Sequence, residues 1–463
     1  MGADRRSELV ALVGAENVTF AGAHHPDDLH DESLHPRKAE PFAVARPGST
    51  AEVAALCAWA SAAGVPVTAR GSGTGLSGGA TPVDDGLVIS FSRMNRLVRV
   101  DVDDHVCVVE PGVTLRELND ALGATGLHYP VHPGELSGSL GGNVNTNAGG
   151  MRAVRHGVTR HHVIGLELVL VDGTVVRTGG PVVKSSTGYD LTQLVIGSEG
   201  TLALVTEVTL RLTPRLAHAA TALVAFASLD AVTGVVPRVV ASGLEPSILE
   251  YVDVLVMSSI TAAAGLELGV ASAVAEATRA YLIVVLETRT AAQLDADLEA
   301  LAELMESAGA LDVYVLTDAV GTKLIEARER AFWSAKASGA DDIVDVVVPR
   351  SKVATLLDEV QRLAGEHGAF VTGCGHVGDG NVHLSVFLGD DDRRHEYLTE
   401  VYRLGIGLGG QISGEHGVGI DKQSAFLGLS DATWLDLQRR VKSVFDPRGL
   451  LNPYRHLDAR GAP

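Results

Sequence analysis

Apolar and polar positions alternate in two styles along this chain. Between Pro41 and Pro214, strand-length apolar runs are separated by two capped helices. Ser49-Thr50-Ala-Glu52, placed before Val53-Ala-Ala-Leu56-Cys57-Ala-Trp59, predicts an N-capped helix that Gly64 ends. Val65–Ala69, Leu87–Ser90 and Val106–Val109 read as strands. Thr114 and Glu117 predict a capping box on a second helix. Val163–Val171 and the run from Thr174 to Arg177 predict a hairpin about Asp172-Gly173, and Glu207–Leu212 a closing strand. From about 217, Ala- and Leu-rich helical stretches at 298–305 and 353–360 alternate with strands at 223–226, 281–287 and 344–348. Short strands interleaved with helices and joined by hairpins predict an antiparallel α+β unit. Ahead of all this, Ser7–Val13 reads as a short helix. The following loop carries His24, His25, His30 and His35, and reads as solvated rather than metal-binding.

One hairpin stands out chemically. Ala369-Phe-Val-Thr and His383-Leu-Ser-Val-Phe-Leu flank Gly373-Cys-Gly-His376-Val-Gly-Asp-Gly-Asn-Val-His383. Asp379-Gly380 predicts a type I′ turn, which pairs Gly378 with Asn381, Val377 with Val382 and His376 with His383. Opposed residues have Cβ atoms about 4.5–5.5 Å apart, so two imidazoles would come within reach of one metal ion. From the residues alone, a metal site and a hydrogen-bonded polar pair are equal readings. Cys374 shares the face of His376 and reads as a small buried residue rather than a ligand. Ser413-Gly-Glu415-His416-Gly lies further on, and two histidines with a carboxylate suit Zn²⁺ or Mn²⁺.

Composition narrows the function classes. At 463 residues the chain exceeds the roughly 250–300 at which single cores stop growing, so more than one domain is expected. A net charge of −20 argues against nucleic acid and anionic membranes as partners. There is no basic-then-apolar leader and no apolar run of about 18 residues, so neither a signal peptide nor a transmembrane segment is expected. Cys57, Cys107 and Cys374 form a sparse, odd set, which points to a reducing cytoplasm. The 52 glycines are the anomaly, because they cluster.

Arg70-Gly-Ser-Gly-Thr-Gly-Leu-Ser-Gly-Gly79 contains G-x-G-x-x-G, yet a turn and a strand follow it instead of a helix. That excludes a Rossmann unit and leaves an anion nest, with Ser72, Thr74 and Ser77 as added donors. A second cluster spans His132–Gly150, and a third is Gly197-Ser-Glu199-Gly200-Thr-Leu202. Three such clusters suggest an extended ligand containing pyrophosphate. On these motifs, residues 41–216 resemble the FAD-binding domain of the vanillyl-alcohol oxidase/p-cresol methylhydroxylase (PCMH) flavoproteins. Phe445–Pro453 resembles that family's closing segment. The implied fold is α+β: a two-subdomain PCMH-type FAD-binding domain (37–216) and an antiparallel-sheet cap for substrate (217–440). An N-terminal segment (1–36) precedes them, and a C-terminal segment (441–463) returns to the FAD domain. The resemblance implies FAD contacts at Arg70, Gly71, Ser72, Gly73, Thr74, Gly75, Ser77, Pro133, Gly134, Ser137, Gly138, Gly141 and Gly142. It implies further contacts at Asn145, Ala148, Gly149, Gly150, Glu199, Gly200, Val205 and Asn452. Relatives that bind flavin covalently use a histidine in the first loop; positions 70–79 have none, so non-covalent FAD is expected.

Gly375–His383 and Ser413–Gly417 resemble the signatures of the FAD-linked D-2-hydroxyacid dehydrogenases, which act on D-lactate, glycolate or D-2-hydroxyglutarate. The resemblance implies that His376, His383 and Glu415 hold a divalent metal and that His416 is the base. Two departures bear on substrate. Lys336 stands where the branch carries a carboxylate-gripping Arg after Trp333, with Arg328 or Arg330 as substitutes. Ile343 and Ser385 replace a Lys and an Asn of the dicarboxylate-specific members. The implied reaction oxidises a lactate- or glycolate-like D-2-hydroxy acid to the 2-oxo acid. The alternatives are an oxidase using O₂ and a non-redox transferase like the ether-lipid synthase relatives. Expected partners are the 2-hydroxy acid and an electron acceptor (electron-transfer flavoprotein, quinone, cytochrome or O₂), with a homodimer as the candidate assembly.

Overall fold

The computed structural model describes residues 2–455 and 457, with side chains from residue 5 onward. Three large sheets organise them, beside a two-stranded pairing of Leu127–His128 with Thr213–Pro214. The first has four strands in the order Val18–Phe20, Ala43–Ala45, Leu87–Ser90, Val67–Arg70; its last three are parallel. The helix Thr50–Ala63 links two of those strands. Its Ser49 cap accepts from Glu52 N–H, and Gly64 closes it at φ 67°, as expected. The second sheet is antiparallel, in the order Leu97–Asp101, Val106–Val109, Leu204–Arg211, Val163–Val169, Val175–Gly179. The capping box of Thr114 and Glu117 forms, opening the helix Leu115–Ala121. Within the second glycine cluster, Ser139 caps a short helix, Leu140–Thr146.

The third sheet is the expected antiparallel cap. Its seven strands run Asp312–Leu316, His218–Phe226, Ala280–Thr288, Ile248–Asp253, Phe370–Gly375, Asn381–Phe387, Asp342–Val347. Central strands are apolar on both faces because helices cover both. Leu282, Val284 and Leu286 enter one core, while Tyr281 and Ile283 enter another. Each such side chain contributes about 1.5–3 kcal/mol of transfer free energy. The rigid platform this builds carries the hairpin strands.

The C-terminal segment docks on the first sheet. Leu451 bridges to Val67, and Asn452 N–H donates to Val67 O at 2.7 Å. No helix among the described residues is long and apolar enough to cross a membrane.

Candidate active site

The glycine loop 70–79 connects two parallel strands and packs onto the second cluster. A Cβ on Gly71 would stand 2.1 Å from Ser139 Oγ, so only glycine permits this approach. Ser139 Oγ also accepts from Ser72 N–H at 3.3 Å. Among the described residues, the N–H groups of Gly73, Thr74, Gly75 and Leu76 find no acceptor. Unspent amides in a loop of small residues suit a pyrophosphate. The third cluster is tied to the second: Gly200 N–H donates to Asn145 Oδ1 at 2.9 Å. Asn452 Nδ2 donates to Gly79 O and Glu199 O, at 2.9 and 2.7 Å. All three clusters line one cavity of about 490 Å³. Of the residues expected at the flavin, Arg70, Gly71, Ser72, Gly73, Thr74, Gly75, Ser77, Pro133, Gly134, Gly138, Gly141 and Gly142 line it. Asn145, Ala148, Gly149, Glu199, Gly200, Val205 and Asn452 line it too. Ser137 and Gly150 do not; Ser137 Oγ donates to Glu135 instead.

The same cavity reaches the cap, where His376, His383, Glu415 and His416 line it. The hairpin forms, but its register differs from expectation. Cys374 lies opposite His383, and Phe370 opposite Phe387. His376 sits beyond the strand end, in a five-residue connection that ends at Gly380. The His376 carbonyl accepts from the N–H groups of Asp379, Gly380 and Asn381, which makes a helical turn rather than a type I′ turn. Gly380 has φ 96°, and a Cβ there would stand 2.0 Å from Val348 O. Despite the shift, the two rings meet edge to face, with centroids 4.8 Å apart.

His376 Nε2 and His383 Nε2 each lie 3.2 Å from Glu415 Oε1. His376 Nδ1 is 2.6 Å from Glu250 Oε1, which turns Nε2 toward the cluster. A carboxylate behind a ligating histidine is the usual support of a metal site. The three donor atoms lie within 4.8 Å of one another, and this donor set fits a divalent cation. Burial would raise the Glu415 carboxyl, but the His376 charge and hydrogen bonds from both histidines hold it well below the usual range. Burial opposes the His376 cation, yet Glu250 and Glu415 outweigh it and raise that imidazole well above 6.5.

Asp345 and Glu250 are the residues sequence reasoning missed. Each is a carboxylate within an apolar strand run, and that interruption was the available signal. Asp345 is fully buried; its Oδ2 accepts from Ser413 Oγ and from the N–H groups of Gly414, Glu415 and His416, at 2.6–3.2 Å. Lys422 Nζ stands 3.5 Å from it. This one carboxylate shapes the loop that presents Glu415 and His416. Glu199 fastens the loop's far side, accepting from Val418 N–H at 2.6 Å and Gly419 N–H at 2.8 Å. Arg328 lines the cavity, with Nη2 2.7 Å from Glu250 Oε2 in an ion pair that lacks hydrogen-bond alignment. Lys336 is not brought in: its Nζ reaches Glu32 at 2.8 Å and lies over the Phe332 and Trp333 rings, and Lys336 itself does not line the cavity. Nor do His24, His25, His30 and His35 make a metal cluster among the described residues. His24 bonds to Thr19 and Pro41, and His35 to Asp342.

The FAD binding domain family matches residues 41–179, and the FAD linked oxidase C-terminal domain matches residues 215–456. An "uncharacterized FAD-linked oxidoreductase" of Mycobacterium tuberculosis is 51% identical over 96% of this chain and 98% of its own. A D-lactate dehydrogenase of Archaeoglobus fulgidus is 37% identical over 90% of this chain and 92% of its own. The structure of p-cresol methylhydroxylase superposes with a TM-score of 0.80 at 17% identity, covering 99% of this chain and 97% of that one, so the fold is PCMH-type. With the two domains matched in order and the glycine clusters meeting the cap in one cavity, the chain belongs to the FAD-linked oxidase family and is an FAD-linked oxidoreductase.

Proposed function

We propose that the protein oxidises a D-2-hydroxy acid to the 2-oxo acid, with His376, His383 and Glu415 as metal ligands and His416 as the base. One observation carries this reading: His376, His383 and Glu415, together with the partly buried His416, line the same cavity as the flavin-type glycine clusters. When bound, FAD supplies a two-electron acceptor and a divalent cation supplies Lewis acidity.

The chain's own residues do the rest. Burial pulls the His416 imidazole down to about 4, against the opposing pull of Asp345, so the ring is neutral near pH 7 and able to accept the hydroxyl proton. Its ring stacks on His383 at 5.0 Å, and its Nδ1 faces Asp345 Oδ2 at 3.9 Å, which fixes its orientation. Arg328 is the cavity-lining guanidinium on the cap side and the candidate partner for the substrate carboxylate. The Archaeoglobus relative's name supports a 2-hydroxy acid as the substrate class.

The test is anaerobic mixing of the FAD- and metal-loaded protein with a panel of D-2-hydroxy acids. Bleaching of the flavin is expected with at least one of them. A flavin that stays oxidised throughout would falsify the reading. His416→Gln should keep FAD and metal while slowing bleaching by about 10²–10⁴-fold.

A further inference from the structure

The cap wall of the cavity is graded along its strands. Residues alternate faces with period two, so Phe370, Thr372 and Cys374 share one face with Phe387, Ser385 and His383, and they pair directly across the hairpin. The opposite face, with Val371, Val382, Leu384 and Val386, enters the core. On the cavity face, the innermost pair is Cys374–His383, beside the donor cluster. The next is Thr372–Ser385, flanked by Ile343 on the neighbouring strand. The outermost is Phe370–Phe387, with ring centroids 5.6 Å apart. Phe387 lies four positions beyond His383, a span of roughly 13 Å.

Two helices add large apolar side chains to the lining, beside the small serines Ser259, Ser334 and Ser338. Leu255 and Trp333 come from the helices Val254–Ala264 and Ala331–Ala337, whose Ser259 and Ser334 hydroxyls are bonded at 2.6 Å. Leu255, Trp333 and Phe370 are 54%, 41% and 53% exposed, and all three gather at one cavity. Large exposed apolar side chains converging on a cleft mark a binding surface. Among the described lining residues, the cap supplies no lysine, and its one guanidinium, Arg328, sits beside Glu250 at the donor-cluster end, where it serves the C1 carboxylate.

We propose that the substrate's C2 substituent is an extended apolar group, an alkyl or arylalkyl chain, lying from His383 outward to Phe370 and Phe387. The inference rests on the 2-hydroxy-acid reading of this site and names the kind of 2-hydroxy acid. A methyl group, as in lactate, covers only the innermost pair. A terminal carboxylate would meet Ile343 and the phenyl rings with no cation to receive it.

The FAD- and metal-loaded protein, mixed anaerobically with D-lactate, D-2-hydroxyglutarate and D-2-hydroxyoctanoate, tests this through the second-order rate constant for flavin bleaching. D-2-hydroxyoctanoate is expected to exceed each of the others by at least about 100-fold, since a buried methylene discriminates by about tenfold or more. D-lactate or D-2-hydroxyglutarate reacting as fast or faster overturns the inference and leaves the hydroxy-acid reading standing. If none of them bleaches the flavin, the hydroxy-acid reading falls, and calorimetric titration decides the apolar subsite alone. Octanoate should bind at least about tenfold more tightly than acetate, and equal binding overturns it. Phe370→Asp, at a half-exposed position that tolerates a charge, should cut the octanoate-to-acetate affinity ratio by about tenfold; an unchanged ratio also overturns the placement.

Discussion

At the scale of single residues, the site depends on two buried carboxylates. Asp345 Oδ2 gathers one hydroxyl and three backbone N–H groups from four successive residues, with the Lys422 ammonium beside it. Burial alone would raise this carboxyl, but the neighbouring His416 and Lys422 outweigh it and hold it far below the carboxylate range. Asp345→Asn keeps the shape and removes the charge, leaving Lys422 buried without a counter-ion. A loss of roughly 3–5 kcal/mol is expected from denaturant unfolding, with loosening of the Ser413–His416 loop. Glu250 acts through His376. Burial would raise it, and His376 and Arg328 reverse that and lower it. Glu250→Gln should weaken divalent-metal binding by about 10–100-fold, measured by competition with a chelating dye, with FAD retained.

The hairpin sets the scale of elements. Its strands and their apolar flanks were legible in sequence, because alternation is a local property. Its register was not. Asp-Gly promised a two-residue turn, whereas the chain makes a five-residue connection. The reason is tertiary: a Cβ on Gly378 would stand 2.6 Å from Val154 Cγ2, and Gly380 packs against the Val348 carbonyl. Packing against those neighbours, rather than turn propensity, selects the connection. His376 therefore reaches the cluster from a turn and His383 from a strand. Inserting one residue between Val377 and Gly380 should misplace His376, abolish metal uptake and leave FAD bound. Retention of metal by such a variant, measured by elemental analysis, contradicts the assigned ligand set. The second glycine cluster teaches the same lesson. Its glycines disfavour a helix, yet the Ser139 cap and contacts to the neighbouring clusters stabilise one there.

Across the whole molecule, buried groups tie the cap to the glycine clusters. Glu199 and Ser77 hold the cap loop onto the glycine clusters, through Val418, Gly419 and the Gly417 carbonyl. Elsewhere His128 and His156 stack edge to face at 6.1 Å, near Arg152 and Arg155. Burial, followed by Arg152 and Arg215 at His128 and by Arg155 and Arg152 at His156, pulls both imidazoles down to about 4. The sign follows: an unfolded histidine binds its proton near ~6.5, while the folded ones stay neutral until about 4. The stability these two histidines contribute is therefore complete above about pH 6.5 and falls as the pH drops from there toward 4. His128→Gln should flatten that fall in a series of thermal melts between pH 7 and 4.5; an unchanged slope would assign the acid sensitivity to other groups.

Sequence by itself determined many of the elements, the caps of the first two helices, the three glycine clusters and the identity of the donor residues. Each is a matter of local spacing or of side-chain chemistry. The tertiary structure decided which donors meet. Asp345 is sixty-eight residues from Ser413, and Glu250 far from His376 in sequence, so their roles emerge only when strands from distant segments lie side by side. It also turned Lys336 away, because Glu32 of the N-terminal segment stands within reach of its ammonium. Ile343, Ser385 and the two outer phenylalanines gained a shared meaning only once pairing set them on one face of the cap sheet. A chain records which side chains exist; the sheet's register decides which of them look into the same space.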